Sequence, residues 1–340
     1  MSITDAYNDP LQDAREQALR SPDGLKAQLL EELQRLYAEV IAYVVRSSKP
    51  VEEALEEALQ ELSTQATAII ETARRRGQAQ ETEGHKEGFA AAAGLAGLSM
   101  SWDPSPQPSA ATRGVTRSTP QLVRGSISQG ISYFKQDLKY IRKYVTEDEY
   151  AQAVAQVLSR GNEDVTRRLA RRGINLGDID LSDVQARAPQ VFSNLKQTGV
   201  TELADIMDET GKELAAISPA VDLTKWVLSS RHSGLASSPD VCDVLATQDV
   251  HGYGPGLYHT RYCPSHPHPN CECRMQTVLK HPDDWGDEDR PAPDKPDISD
   301  LRSTLEQMEG DRTITDDYSA AQQRELQRVV DFVHDNPRGV

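Results

Sequence analysis

Two apolar stripes of helical period, separated by one short link, constrain the fold of this chain more than any other feature. Leu25, Leu29, Leu33, Leu36, Val40 and Val44 recur at three- and four-residue spacing, and Leu55, Leu59, Leu62, Ala66, Ile69 and Ala73 repeat the pattern. Ser48 and Pro50 stand between the stripes, and proline is tolerated there because the first turn of a helix has no partner for an N–H. Two amphipathic helices joined by so short a link run antiparallel, each turning its stripe toward the other. The composition agrees: 37% hydrophobic and only 5% aromatic residues in a chain of 340 suit layered helices with narrow apolar faces, in two or three structural units, better than one thick core.

The rest of the chain divides on pattern and composition. Residues 1–22 show no strong period and read as a flexible arm, and 23–102 form an N-terminal helical region whose end, Gly84 to Met100, is a weaker helix rich in small residues. The run DPSPQP opens a linker over 103–120. A central helical region, 121–218, begins with a stripe through Leu122, Ile127, Ile131, Phe134, Leu138, Ile141 and Val145. Thr146 with Glu149 makes a capping box, and Ser182 with Gln185 a second candidate. Asn162 opens a short helix ending in the run from Arg167 to Gly173, Pro189 limits or kinks the segment after it, and Thr201 to Ile217 completes the set.

At Pro219 the character changes. Residues 219–280 form a small module in which Leu223 to Ser229, carrying Trp226, and Arg274 to Leu279 read as strands. The 45 or so residues between them are dense in Gly, Pro, His and Cys, too rich in breakers for helix. Residues 281–340 are an acidic tail with two short helical patches, 301–308 and 320–333. The expected fold is mainly α: a helical hairpin and a helical middle region, then a small C-terminal α+β module rich in Cys and His, then the tail.

Charge is distributed unevenly. The net charge is −16, and residues 281–340 hold 16 Asp and Glu against 7 Lys and Arg, whereas 113–172 hold 12 Lys and Arg against 6 acids. So acidic a chain is no general nucleic-acid coat. Its basic middle, including Arg142, Lys143, Arg167, Arg168, Arg171 and Arg172, is either a set of solvated helix faces or a contact for DNA or an acidic partner. Met1 to Arg15 is polar, and Phe89 to Met100 is too short and too rich in Gly and Ala to span a bilayer. The expectation is therefore a cytoplasmic chain with no leader and no membrane partner.

All four cysteines lie between Cys242 and Cys273, among His251, His259, His266 and His268. Thiolate and imidazole are the preferred ligands of Zn2+, and four of them close a tetrahedral structural site. Cys271 and Cys273 are spaced to share a metal across a turn, and Pro264, Pro267 and Pro269 stiffen the approach. Disulfides in an oxidising setting and buried thiols are the other two fates of such cysteines. A zinc-dependent hydrolase or nuclease is the catalytic alternative, with Glu272 as its base. No HExxH, GxSxG or Walker pattern accompanies it, so no enzyme is expected.

The order of elements here is a Trp-bearing strand (KWVLSS), the step from Asp240 to Asp243, a Gly-rich loop, and the closing sequence HPHPNCECRM. It resembles the C-terminal signature of the phage Mu F-like, or head-morphogenesis, minor capsid family, with the closing pattern matched at His268, Pro269, Cys271 and Cys273. The resemblance covers roughly residues 120–280, with its specific motifs in the last 50 or so. It implies a structural protein of a tailed-phage head, acting at or near the portal in head assembly and in DNA packaging or delivery. The implied partners are the portal and other capsid proteins, and the implied location is the virion, with the host cytoplasm during assembly. Many family members carry Cys-x-x-Cys at the first step, whereas Cys242 is followed here by Asp243, Val244 and Leu245. On the resemblance, Cys242, Cys263, Cys271 and Cys273 would make the Zn2+ set, with His268 able to replace one of them. An internal DNA-binding virion protein ejected with the genome is the alternative.

Overall fold

A computed structural model of the chain describes residues 1–104, 110–174, 176, 179–181, 189–229, 241–247, 249, 252–260, 263 and 273–286. Helix accounts for 71% of them, and a small three-stranded sheet for the regular remainder. The helices among the described residues are α1 (Ile3–Arg20), α2 (Leu25–Arg46), α3 (Val51–Leu95), α4 (Ala110–Ile141), α5 (Glu147–Ser159), α6 (Glu163–Arg171), α7 (Pro189–Ile217) and α8 (Val241–Thr247). The strands are β1 (Val221–Val227), β2 (Leu257–His259) and β3 (Arg274–Leu279). No described helix is long and apolar enough to cross a membrane. The chain resolves into two compact units, one of residues 1–17, 77–112 and 204–340, the other of 18–76 and 113–203.

In the second unit the hairpin forms as the stripes require. Leu29, Leu33, Leu36, Val40 and Val44 of α2 and Leu55, Leu59, Leu62, Ala66 and Ala73 of α3 are buried, whereas the expected Ile69 is half-buried and Ile70 takes the core position. Near the turn, Tyr43 donates its hydroxyl to Glu57 Oε2 at 2.6 Å. Further along, Leu29 and Leu33 of α2 and Ile70 of α3 all lie within 3.4 Å of where a Cβ on Gly199 of α7 would stand. Tyr37 stacks on Phe192 of α7 at 4.4 Å and donates to the Leu158 carbonyl at 3.2 Å. The capping box at α5 is present: Glu149 Oε2 accepts from the Thr146 N–H at 3.1 Å and from its hydroxyl at 2.7 Å. Asn162 caps α6, its Oδ1 accepting from the Val165 N–H at 3.1 Å. Pro189 is the first residue of α7 and kinks nothing. The linker expected over 103–120 is shorter, because α4 starts at Ala110, and its buried face takes Val123 while Leu122 is exposed. The second candidate capping box, Ser182 with Gln185, lies outside the described residues.

The first unit departs more from expectation. Residues 1–22 are not a loose arm: most of them form α1, and its part in this unit buries Tyr7 and Leu11. Its stripe is faint because polar side chains share the buried face, Asn8 among them, and because Pro10 sits inside the helix without an N–H to give. The weak helix expected at 84–100 is the end of the 45-residue α3. Gly84 and Gly88 serve close approach: a Cβ on Gly88 would stand 2.2 Å from the Tyr7 carbonyl oxygen, so α1 crosses α3 at a point that only glycine permits. Tyr7, Leu11, Phe89, Ala92, Ala93, Ala215, Ala220, Val221 and Trp285 form the core.

The sheet has the order β2-β1-β3, with both pairings antiparallel. β3 falls at the expected residues, and β1 begins two residues earlier than expected. The segment between them holds two elements beyond those expected, α8 and β2. Seven residues of α8 fit between breakers, and Gly256, at φ +69, lets β2 start where a Cβ would meet the Ala246 carbonyl oxygen at 2.6 Å. The acidic tail beyond Gly286, with its two helical patches, lies outside the described residues.

Candidate functional site

β1 is the middle strand, so its residues are covered on both edges. Trp226 is 1% exposed and pairs with Met275 of β3, while its backbone N–H donates to the Gly256 carbonyl at 2.9 Å. Three cysteines surround this strand and all are buried: Cys242 on α8, Cys263 after β2, and Cys273 at the residue before β3. The Ser229 N–H, just past β1, donates to Cys273 Sγ at 3.4 Å. Tyr258 of β2 ties α8 down by donating to the Leu245 carbonyl at 2.7 Å. Burial pushes the Cys263 thiol up to about 12, with the nearby Thr224 hydroxyl working the other way, so without a metal it is a protonated, unreactive group at neutral pH.

Thiols are the donor type that suits zinc. Among the described residues, however, no three or more His, Cys, Asp or Glu side chains are grouped to hold a metal. Cys271 and His268, two of the five expected ligands, lie outside the described residues, as do His251 and His266. The sheet thus brings Cys242, Cys263 and Cys273 into one module without assembling a metal site from them alone.

The basic residues of the middle region are mostly engaged. Arg168 pairs with Glu31 at 3.3 Å and Arg172 with Glu39 at 2.9 Å, both carboxylates on α2. Arg167 pairs with Asp164 within α6 at 2.6 Å. Arg142 reaches Glu52 at 3.2 Å and lies over the Tyr150 ring at 4.8 Å. Lys143 lies over the exposed Tyr140 ring at 5.1 Å. Arg171 is exposed and has no carboxylate partner among the described residues.

A buried polar cluster in the first unit escapes any local reading of the sequence. Arg15 of α1 grips Glu81 of α3 through Nε at 3.0 and 2.9 Å and reaches Asp208 of α7 through Nη1 at 2.8 Å. His85, one turn beyond Glu81, has Nδ1 at 3.2 Å from the Tyr7 hydroxyl, which also meets Ser218 Oγ at 3.4 Å. A cleft beside the cluster is lined by Asn8, Gln12, Arg15, Glu81, His85, Arg274 and Thr277, among others. Burial, with Arg15 nearby, drives His85 down to about 3, and burial raises both Glu81 and Tyr7. A catalytic acid or base needs a pKa near the working pH; His85 and Tyr7 are held far from it. The partners lie 66 to 211 residues apart, so only a charged residue recurring on an apolar face, such as Arg15 in line with Leu11 and Ala18, hints at them.

The chain matches no family model, no curated protein and no solved structure.

Proposed function

We propose that this chain is a structural minor capsid protein of a tailed-phage head, acting at or near the portal during head assembly and DNA packaging or delivery. The observation that carries the reading is the ordered signature from Trp226 through Cys242 to His268, Pro269, Cys271 and Cys273. Its support in the fold is the pairing of its two ends: Trp226 lies opposite Met275 and Val227 opposite Arg274, directly after the closing cysteine. The small Cys- and His-rich α+β module so closed acts as a rigid clip, and the helical units offer the surfaces for partners.

Within this reading, Cys242, Cys263, Cys271 and Cys273, with His268, hold one Zn2+ in a structural role, where the metal would supply ordering energy to a module with little core of its own. Mass-spectrometric metal analysis checks this: one zinc per chain, lost in Cys271→Ser, is expected, and wild type without metal returns the cysteines to buried thiols or disulfides.

The function is tested by mixing the intact protein with assembled portal oligomers from the same phage and following co-sedimentation. Co-migration with portal is the expected outcome. Binding to DNA alone would instead make the chain an internal protein that travels with the genome. Hydrolytic activity abolished by chelator would make it a zinc-dependent hydrolase or nuclease.

A further inference from the structure

Among the described residues, the exposed cations without carboxylate partners lie mainly along α4 rather than on α6, whose arginines are largely paired. From Arg113 to Val145 the chain holds seven Lys and Arg and a single acid, Asp137, in a protein of net charge −16. Asp137 is 4% exposed, so it contributes nothing to the surface of the helix. Arg124, Ser128, Ser132, Lys135 and Lys139 are all exposed and follow one another at intervals of four, four, three and four residues. That spacing places them in one exposed row, about a third of a turn around the helix from Val123, Ile127, Phe134 and Leu138, which are buried. Arg124, Lys135 and Lys139 have no carboxylate partner among the described residues, in contrast with Arg167, Arg168 and Arg172.

At its C-terminal end the row runs into the turn bearing Lys143, with Tyr140 and Tyr144 exposed by 55% and 53% beside it. The helix dipole accounts for a cation in the last turn, such as Lys139; it does not account for Arg124 or Lys135, which stand mid-helix. A merely solvated face would also be expected to carry some of the chain's 53 acids, as α3 does with the exposed Glu56 and Glu61. Between the cations the row carries only small hydroxyl side chains, so a partner can approach the helix closely and meet both charge and hydrogen-bond donors.

We infer that the outer face of α4 is a nucleic-acid interface, with Arg124, Lys135, Lys139 and Lys143 contacting backbone phosphates and the exposed tyrosines at its end available to bases. The row from Arg124 to Lys139 spans fifteen residues, ~22 Å of helix at ~1.5 Å per residue, long enough to meet several phosphates of one strand. The overall −16 does not prevent this. At physiological ionic strength charges beyond ~8 Å are largely screened, so a bound backbone experiences the local row rather than the whole chain. The face keeps this chemistry whether or not the chain serves in a phage head.

The test is fluorescence anisotropy of the intact chain with a labelled 30-base-pair DNA duplex and with a labelled 30-nucleotide single strand, at two or more salt concentrations. Binding to either probe that weakens as salt rises is expected. The variant Lys135→Gln/Lys139→Gln/Lys143→Gln should lose about tenfold or more in affinity, with a salt slope shallower by roughly two to three, at ~0.9 per lost duplex contact or ~0.7 per lost single-strand contact. The control Arg168→Gln/Arg172→Gln should bind as wild type does. No binding to either probe at low salt overturns the inference, as does a triple variant that binds like wild type. So does equal loss in the α6 control, or poly-glutamate binding the same face as tightly as DNA. Unchanged helical circular dichroism in the variants confirms that charge, not folding, is what was removed.

Discussion

At neutral pH the imidazole of His85 is neutral, 2% exposed and in contact with the Tyr7 hydroxyl. In the unfolded chain it titrates near 6.5, and in the fold near 3. Below pH 6.5 the unfolded state therefore takes up a proton that the folded state refuses, and His85 costs the fold about 1.4 kcal/mol for each further pH unit down to about pH 3. Glu81 works in the opposite direction, since burial raises its pKa and lets the folded state take up a proton first. Comparing wild type with His85→Gln isolates the imidazole: between pH 7 and 5, thermal melts should show a steeper loss of stability in wild type than in the variant. Parallel pH profiles would show that His85 is solvated in the folded chain. Asn8 gives a second residue-scale prediction. Its amide accepts from the Thr277 N–H at 2.9 Å and donates to the Thr277 carbonyl at 3.0 Å, replacing a neighbouring strand at the outer edge of β3. Asn8→Ala leaves both groups unmatched and should cost about 1–3 kcal/mol in denaturant titration. Asn8→Asp, which keeps only the acceptor, should also destabilise.

Among the elements, α3 shows how backbone proximity overrides helix propensity. Alanine is about 1 kcal/mol better than glycine inside a helix, yet Gly88→Ala would press a methyl onto the Tyr7 carbonyl oxygen at 2.2 Å, and overpacking of that kind costs about 1–3 kcal/mol. The expected result is a net loss of stability, whereas Gly125→Ala in α4, with nothing within 4 Å of the new carbon, should gain up to about 1 kcal/mol. Chemical denaturation of the two variants separates them; a stable Gly88→Ala would mean that α1 shifts freely on α3. The elements legible in the sequence were those whose cause is local: the paired stripes of α2 and α3, the Thr146 capping box, the Asn162 cap, and the β-branched and aromatic runs of β1 and β3. Those missed owe their form to distant partners. α1 buries Asn8 against a strand 269 residues away, and α8 and β2 fold between breakers because Trp226, Tyr258 and Leu245 hold them. The candidate site was half legible: spacing alone located the cysteines, but no spacing announced the pairing of α6 with α2 that leaves α4 the better-exposed basic face.

For the whole molecule, net charge sets the response to salt. A chain of net −16 with 53 acids repels itself, and screening relieves that repulsion. Raising sodium chloride from low to moderate concentration should lift the thermal midpoint by a few degrees. The buried pair of Arg74 with Glu202, 6% and 3% exposed, is shielded from such screening and should be indifferent. A midpoint that falls with salt would mean that exposed pairs such as Arg168 with Glu31 outweigh the repulsion. The Asn8 contact also reaches beyond equilibrium. The chain is made from its amino end, at about 5–20 residues per second, and the strand that Asn8 completes is synthesised 269 residues after it. For tens of seconds Asn8 therefore waits without its strand, whereas Tyr7 and Leu11 meet α3 at Gly88 and Gly84 far sooner. The outer sheet edge and the first helix thus mature together, and the arrival of β3 is the step that closes the Asn8 side of α1.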